Sequence, residues 1–206
     1  MPLINNFSPA GNLFAAKWFD SDKEFNALYP LPIRALARYH WTPLSIAVKA
    51  ACFLAGEGRA KILDIGSGVG KFCLAAAYHT PNAQYYGVEQ RKSLIQHAES
   101  AKSRLHLENV SFLHGNFTQL DLKKFDHFYF YNAFYENLDG TDKIDDSIDY
   151  SGELYNYYNR YLFRQLRQKP SGTRLCTLCS LENEVPPDFH VIQSGMGDLL
   201  KFWIKL

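Results

Sequence analysis

A surplus of charge of either sign is missing from this sequence: 22 lysines and arginines stand against 21 aspartates and glutamates, for a net charge of +1. That balance does not supply the basic face on which nucleic acid is held non-specifically, so no polyanion partner is implied. Long apolar runs are missing as well. None approaches the roughly 18 residues of a spanning helix, and the start, MPLINNFSPAGNLF, has no cationic region leading into an apolar one. The expectation is a soluble cytoplasmic protein with no membrane contact. Histidine pairs at helical ligand spacing are absent among the seven histidines, and the four cysteines form no second pair to complete a zinc site with CTLC at 176–179. A redox pair of that spacing normally opens a helix, whereas this one lies in a strand-like run. Cys176 and Cys179 are therefore expected as buried strand residues, and Cys52 and Cys73, in apolar helical patterns, as helix core. No metal is expected. Repeats and low-complexity tracts are also lacking.

What is present suits one domain: 206 residues, 47% of them hydrophobic, can build a single sizeable core. Thr42 as N-cap, Pro43 at the first helical position and Gly56 as terminator bracket a helix carrying Leu44, Ile46, Val48, Ala51, Cys52 and Leu54. KILDI is a short apolar strand, GKFCLAAAYH is helical, AQYYGVE is a second strand, and SLIQHAESAKSRLHL repeats Leu94, Ile95, Ala98 and Leu105 at helical spacing. NVSFLHG and FDHFYFYNAF continue the alternation as strands. A helix over YNYYNRYLFRQLRQK, with Leu162, Phe163 and Leu166 inward, leads to a fifth strand, TRLCTLCSL. Two further strands, FHVIQSG and LLKFWIKL, are separated by Gly195 and Gly197 and predict a closing antiparallel pair. The fold class is α/β: a Rossmann-like, seven-stranded, mostly parallel sheet with a final antiparallel hairpin and helices on both faces. Residues 1–41, rich in aromatics and carrying Pro30 and Pro32, fall outside the alternation and are expected to cap one end of the core formed by 42–206. The stretch 136–153 holds seven acidic residues and one lysine and reads as an insertion after the fourth strand.

The first strand-to-helix turn of an open parallel sheet belongs to its ligand site. Here it carries Gly66, Gly68 and Gly70 around Ser67, following Asp64. A dinucleotide fingerprint counted from Gly66 needs a third glycine at position 71, which is lysine. Asp64 suits an ammonium group better than a pyrophosphate. Glu89, closing the second strand, is placed to accept hydrogen bonds from both hydroxyls of a ribose. A nucleoside carrying an amino acid satisfies all three.

ILDIGSGVG followed by YYGVE resembles the first two motifs of class I S-adenosylmethionine-dependent methyltransferases, whose seven strands also end in an antiparallel hairpin. The resemblance implies S-adenosyl-L-methionine as cofactor. Asp64 with the carbonyls around Gly66, Ser67, Gly68 and Gly70 would hold the methionine amino group, Glu89 the ribose, and Gln90, Asn116 and Phe117 the adenine. Asn116 stands where the family often has an acid, and Gln90 where an apolar residue is usual. The segment ahead of the 44–55 helix, Tyr39, His40, Trp41 and Thr42, would fold over the cofactor.

Asn132-Ala133-Phe134-Tyr135 resembles the [D/N]-P-P-[Y/F] motif of nitrogen methyltransferases with both prolines missing. It implies that Asn132 orients the acceptor and Tyr135 stacks on it, the alternative being an ordinary aromatic strand end. DIGSGVG, GVE and NAF are also similar to segments of DOT1-type histone lysine methyltransferases, with Lys71 in place of a glutamine, Tyr131 in place of an asparagine, and no basic tail. That likeness points to amine chemistry rather than to histones. The acidic stretch would attract a cationic acceptor, though it also reads as a solvated face, and its DGTDKIDD core misses calcium-loop spacing. Tyr155 and Tyr158 share a helix face with Leu162 and are expected to pack. The expected activity is methylation of a nitrogen in a protein or small molecule. The alternatives are an oxygen or carbon methyltransferase, with His40 as its base, and a noncatalytic cofactor-binding partner subunit.

Overall fold

The computed structural model describes residues 13–180 and 182–206. Four short helices come first: α1 Leu13–Ala16, α2 Asp22–Asn26, α3 Leu31–Arg34 and α4 Ala37–His40. The core then alternates as α5 Leu44–Ala55, β1 Lys61–Ile65, α6 Lys71–His79, β2 Gln84–Glu89, α7 Lys92–Leu105, β3 Val110–His114 and β4 His127–Tyr131. After the acidic stretch come α8 Gly152–Arg167, β5 Arg174–Leu178, β6 Phe189–Gly195 and β7 Leu200–Lys205.

The seven strands form one sheet in the order β3-β2-β1-β4-β5-β7-β6. Pairings from β3 through β5 are parallel, and β7 inserts antiparallel between β5 and β6. The order reverses direction at β1, where the strands β2 and β4 flank it, so the crevice above the ends of β1, β2 and β4 is the topological switch point. Strand periodicity then assigns each side chain a face. Ile62, Tyr85, Tyr129 and Cys176 pack with α5, α6 and α7, whereas Leu63, Ile65, Phe128, Phe130 and Leu175 pack with Tyr158, Leu162 and Leu166 of α8.

Residues 1–12 of the expected cap lie outside the described residues. The rest of that segment is tied to the glycine turn at two points. Tyr29, fully buried, donates its hydroxyl proton to the Val69 carbonyl (3.0 Å), and the buried Lys71 ammonium bonds Asp22 and, at 3.1 Å, Asn26. Asp22 also accepts from the Leu44 amide at 3.0 Å, satisfying one of the free donors at the start of α5. This corrects the expected cap. Pro43 occupies the N-cap position, the helix starts at Leu44, and the Thr42 hydroxyl bonds Tyr129 instead (2.9 Å).

Three further expectations shift. Cys52 is exposed on α5, and Cys179, one residue past β5 in a left-handed conformation (φ 58°), is exposed rather than buried in a strand. Phe163 is only half-buried, since the inward line of α8 is Tyr158, Leu162 and Leu166. Among the described residues no helix is long and apolar enough to cross a membrane, and no group of three or more His, Cys, Asp or Glu side chains is placed to hold a metal ion.

Candidate active site

The turn from β1 to α6 is hung from the neighbouring strand. The Gly66 and Ser67 amides both donate to the Val88 carbonyl at 3.0 Å, and the Gly70 amide closes the turn on the Ser67 carbonyl at 2.8 Å. Gly66, Gly68 and Gly70 all take positive φ, at 76°, 55° and 81°, a region that side chains disfavour. What lies over each glycine differs. A Cβ on Gly66 would sit 2.4 Å from the Cβ of Ala133, and one on Gly70 would sit 2.4 Å from the Phe112 ring. Those two glycines admit the protein's own side chains. Only over Gly68 is the space open.

That opening belongs to a cavity of about 280 Å³ at the ends of β1, β2 and β4. Of the residues expected to bind cofactor, Gly66, Gly68, Glu89, Gln90 and Phe117 line it; Asn132 and Tyr135 line its far side, with Tyr39, His40 and Trp41 over the top. Gly115 joins the wall, its amide bonded to the Glu89 carbonyl at 2.9 Å.

Asp64, Ser67, Gly70, Asn116 and Thr42 are not brought to the cavity wall. For Asp64 the reason is alternation: it shares a face with Ile62 and so lies under α6, 3.6 Å from the Cys73 thiol. Burial, with a lesser contribution from nearby Glu89, pushes its carboxyl up to about 8. Asn116 is spent locally. Its amide donates to Gln90 (3.0 Å) and to the Tyr158 hydroxyl (2.8 Å), while its carbonyl oxygen accepts from the Thr118 amide and hydroxyl at 3.0 and 2.9 Å. The Ser67 hydroxyl is buried without a hydrogen-bond partner among the described residues, and a Cβ on Gly87 would come within 2.6 Å of it.

Glu89 is held ready. One carboxylate oxygen accepts from the Gly68 amide at 3.1 Å, and the other from the Arg91 amide at 2.9 Å. Arg91 is a residue that sequence reasoning passed over. Its side chain is 4% exposed and pairs with Glu89 (3.5 Å), Glu136 (2.6 Å) and Asp145 (3.0 Å), with a further bond to the Tyr150 hydroxyl at 2.5 Å. Those last three partners all come from the acidic stretch. It is thus folded back as a cavity wall, contributing Glu136, Asp142, Ile144, Ile148 and Tyr150. The signal in the sequence was an arginine two residues past a strand-end acid, which gains meaning only once the insertion is seen to meet it.

Asn132 directly follows β4 and takes φ 42°, unusual for a residue with a side chain, with its carbonyl accepting from the Tyr135 amide at 3.1 Å. Phe134 is the buried aromatic of the motif, stacked 5.1 Å from Phe117, whereas Tyr135 is 49% exposed at the mouth. His40 is half-buried, and desolvation lowers its pKa from the ordinary histidine value against the opposing pull of Glu136 and Asp142. The residues present suit a nucleoside carrying an amino acid: open space over Gly68, a buried acid beside it, and apolar walls from Val88, Leu94 and Phe117.

The switch-point cavity, the glycine turn and the β5-β7-β6 ending define a class I S-adenosylmethionine-dependent methyltransferase. More particularly, residues 57–192 match the family model described as Methyltransferase domain, and the chain belongs to that family. Among curated relatives it is 44% identical over 54 residues to a tRNA (guanine-N(7)-)-methyltransferase of Synechococcus sp. and 38% identical over 67 residues to the release factor glutamine methyltransferase of Buchnera aphidicola. These stretches are 26% and 32% of this chain, and they span only 23% and 24% of the relatives. In fold it is similar to an RNA methyltransferase from Salinibacter ruber in complex with S-adenosyl-L-homocysteine, at TM-score 0.55 and 20% identity over 80% of this chain and 93% of the other. TrmN from Thermus thermophilus matches at TM-score 0.54 and 18% identity, over 84% and 52%.

Proposed function

We propose that this methyltransferase acts on a nitrogen atom presented between Asn132 and Tyr135. The observation that carries the reading is one continuous cavity joining Gly68 and Glu89 to the end of β4. S-adenosylmethionine, when bound, supplies a methyl group activated by a sulfonium. Glu89 takes the ribose hydroxyls, the main chain at Gly68 lies against the amino-acid portion, and Gln90 and Phe117 bound the adenine. Asn132 accepts from the acceptor N–H and so aims its lone pair, and Tyr135 covers the acceptor from the mouth. The family's acid at the end of β1 is given no direct contact here, because Asp64 lies under α6.

The relatives favour a second reading, since they include a tRNA methyltransferase and an RNA methyltransferase. A nucleic-acid acceptor has to approach a mouth bearing Glu136 and Asp142, against which phosphates are repelled.

Titration calorimetry with S-adenosylhomocysteine tests the cofactor half. Wild type should bind at micromolar affinity and Glu89→Gln about 100-fold or more weakly, with loss of two charge-assisted hydrogen bonds costing about 1.5–3 kcal/mol each. Equal affinity in the variant removes Glu89 from the site. Asn132→Ala should cut turnover far more than cofactor affinity, and unchanged turnover removes its role.

A further inference from the structure

The mouth of the cavity combines features that a neutral or anionic acceptor would not use. Beyond Glu89, which is assigned to the ribose, two carboxylates of the acidic stretch, Glu136 and Asp142, line the cavity together with one guanidinium, that of Arg91. Arg91 has no charge to spare, since Glu89, Glu136 and Asp145 already surround it. The acidic stretch's single lysine, Lys143, is not among the residues lining the cavity; its ammonium bonds the carbonyls of Glu136 and Leu138 (2.7 Å to the latter) and lies 4.9 Å from the centroid of the Tyr150 ring. Two tyrosines from distant parts of the chain stand at the same opening: Tyr39 at 56% exposure, with the Arg38 guanidinium over its ring, and Tyr135 at 49%. The Tyr131 hydroxyl, bonded to the Tyr39 carbonyl at 3.3 Å, ties the first of these to the end of β4. Exposed aromatic faces beside carboxylates are the surroundings in which an ammonium ion is held.

An ammonium nitrogen has no lone pair and must lose one proton before it can attack, and a group able to take that proton lies within the same space. His40 lines the cavity between Tyr39 and Trp41. The groups facing it are Glu136, Asp142 and Arg91 from across the cavity, Tyr131 and Tyr135 from the β4 end, Cys179 from the β5 end, and Arg38, whose guanidinium lies 5.1 Å over the Tyr39 ring on its own helix. Desolvation holds the imidazole neutral near pH 7, with a free nitrogen lone pair, while Glu136 and Asp142 stand ready to stabilise it once charged.

We infer that the acceptor is a primary amine, admitted as its ammonium ion past Tyr39 and Tyr135, and that His40 takes the proton whose departure exposes the nitrogen. This rests on the cofactor assignment above. The balance is closed: one N–H proton passes to the imidazole, the freed lone pair forms the new N–C bond as the C–S bond breaks, and that bond's electron pair stays on sulfur. The products are an N-methylammonium ion and a neutral thioether, and the imidazolium returns its proton to water at the mouth.

The test uses the full chain with methyl-labelled S-adenosylmethionine and three probes: spermidine, a tetralysine peptide and an unmodified tRNA transcript. Label is expected in an amine probe, with a rate that falls as pH drops below the ordinary histidine range. His40→Gln should lower that rate about 100-fold and abolish the acid limb, while lowering the calorimetric affinity for S-adenosylhomocysteine far less. Spermidine binding to the S-adenosylhomocysteine complex should weaken about 10-fold in Asp142→Asn. Label confined to tRNA, or no label in either amine while S-adenosylhomocysteine binds, overturns the inference and leaves the cofactor site standing. An acid limb retained in His40→Gln overturns the role of His40, and failure to bind S-adenosylhomocysteine overturns the proposed function itself.

Discussion

At the scale of single residues, the glycine turn divides its labour in a way the motif does not announce. Gly66 exists for Ala133: the Ala133 methyl group lies so close that a second methyl group has no room, and φ is 76° besides. Gly66→Ala should therefore destabilise the protein by about 2–4 kcal/mol, adding overpacking to left-handed strain, and should shift the Asn132 loop. Urea unfolding with a parallel cofactor titration checks it: a loss under 1 kcal/mol would mean that the β4 end yields freely. Asp64 permits a pH prediction. Its folded pKa, about 8, is raised above the unfolded value near 3.8, so the stability it contributes is complete below about pH 4 and is lost as pH rises toward 8. Asp64→Asn, which keeps the neutral shape, should flatten the melting temperature between pH 5 and 8 and make the variant the more stable of the two at pH 8. The same variant should retain cofactor affinity, because the side chain lies on the α6 face and not in the cavity.

At the scale of elements, two clamps set the cavity's walls. Lys71 fastens α2 to the start of α6, and Arg91 fastens the acidic stretch to the end of β2. Arg91 is the stronger constraint, since removing it leaves the buried Glu89 and its acidic neighbours without a counter-charge. Arg91→Met should cost about 3–5 kcal/mol and expose the 136–150 stretch to protease, both reversed in part by adding Glu136→Gln. A variant as stable and protease-resistant as wild type would show that the stretch is held by Ile144 and Tyr150 packing instead. The elements also show what was readable beforehand. The strands were marked in the sequence with ends shifted by up to three residues; the central ones are apolar runs buried on both faces, which leaves no ambiguity of composition, whereas exposed β6 was bracketed by Gly195. The cap of α5 was misassigned for a plain reason: Asp22, its side-chain partner, is 22 residues upstream, and local sequence offered Thr42. The cysteines at 52 and 179 look apolar in one dimension and are exposed in three, since one faces outward on α5 and the other begins the turn after β5.

At the scale of the whole molecule, the charge distribution matters more than its near-zero sum. The stretch 136–153 carries a local charge of −6 within a chain of net +1, and two of its acids, Glu136 and Asp142, line the cavity. A sulfonium nucleoside and a cationic acceptor are both drawn to such an opening. Ligand binding also reports on the whole fold. At 100 times its dissociation constant, S-adenosylhomocysteine should add about 2.7 kcal/mol and raise the melting temperature of a chain this size by roughly 5–10 °C. Differential scanning calorimetry reads this directly, and an unshifted transition would contradict nucleoside binding to the native state.

The amino-acid sequence by itself determined the α/β alternation, the hairpin ending, the glycine turn and the strand-end acid. Each is written in adjacent residues by periodicity or backbone freedom. Tertiary structure alone decided that Asp64 turns under α6, that Asn116 spends its amide and carbonyl on Gln90, Tyr158 and Thr118, and that Arg91 draws the acidic stretch across the cavity. Thr118 apart, those outcomes depend on partners 9 to 59 positions away in the chain, and no local pattern specifies which of the available partners a buried polar group will meet.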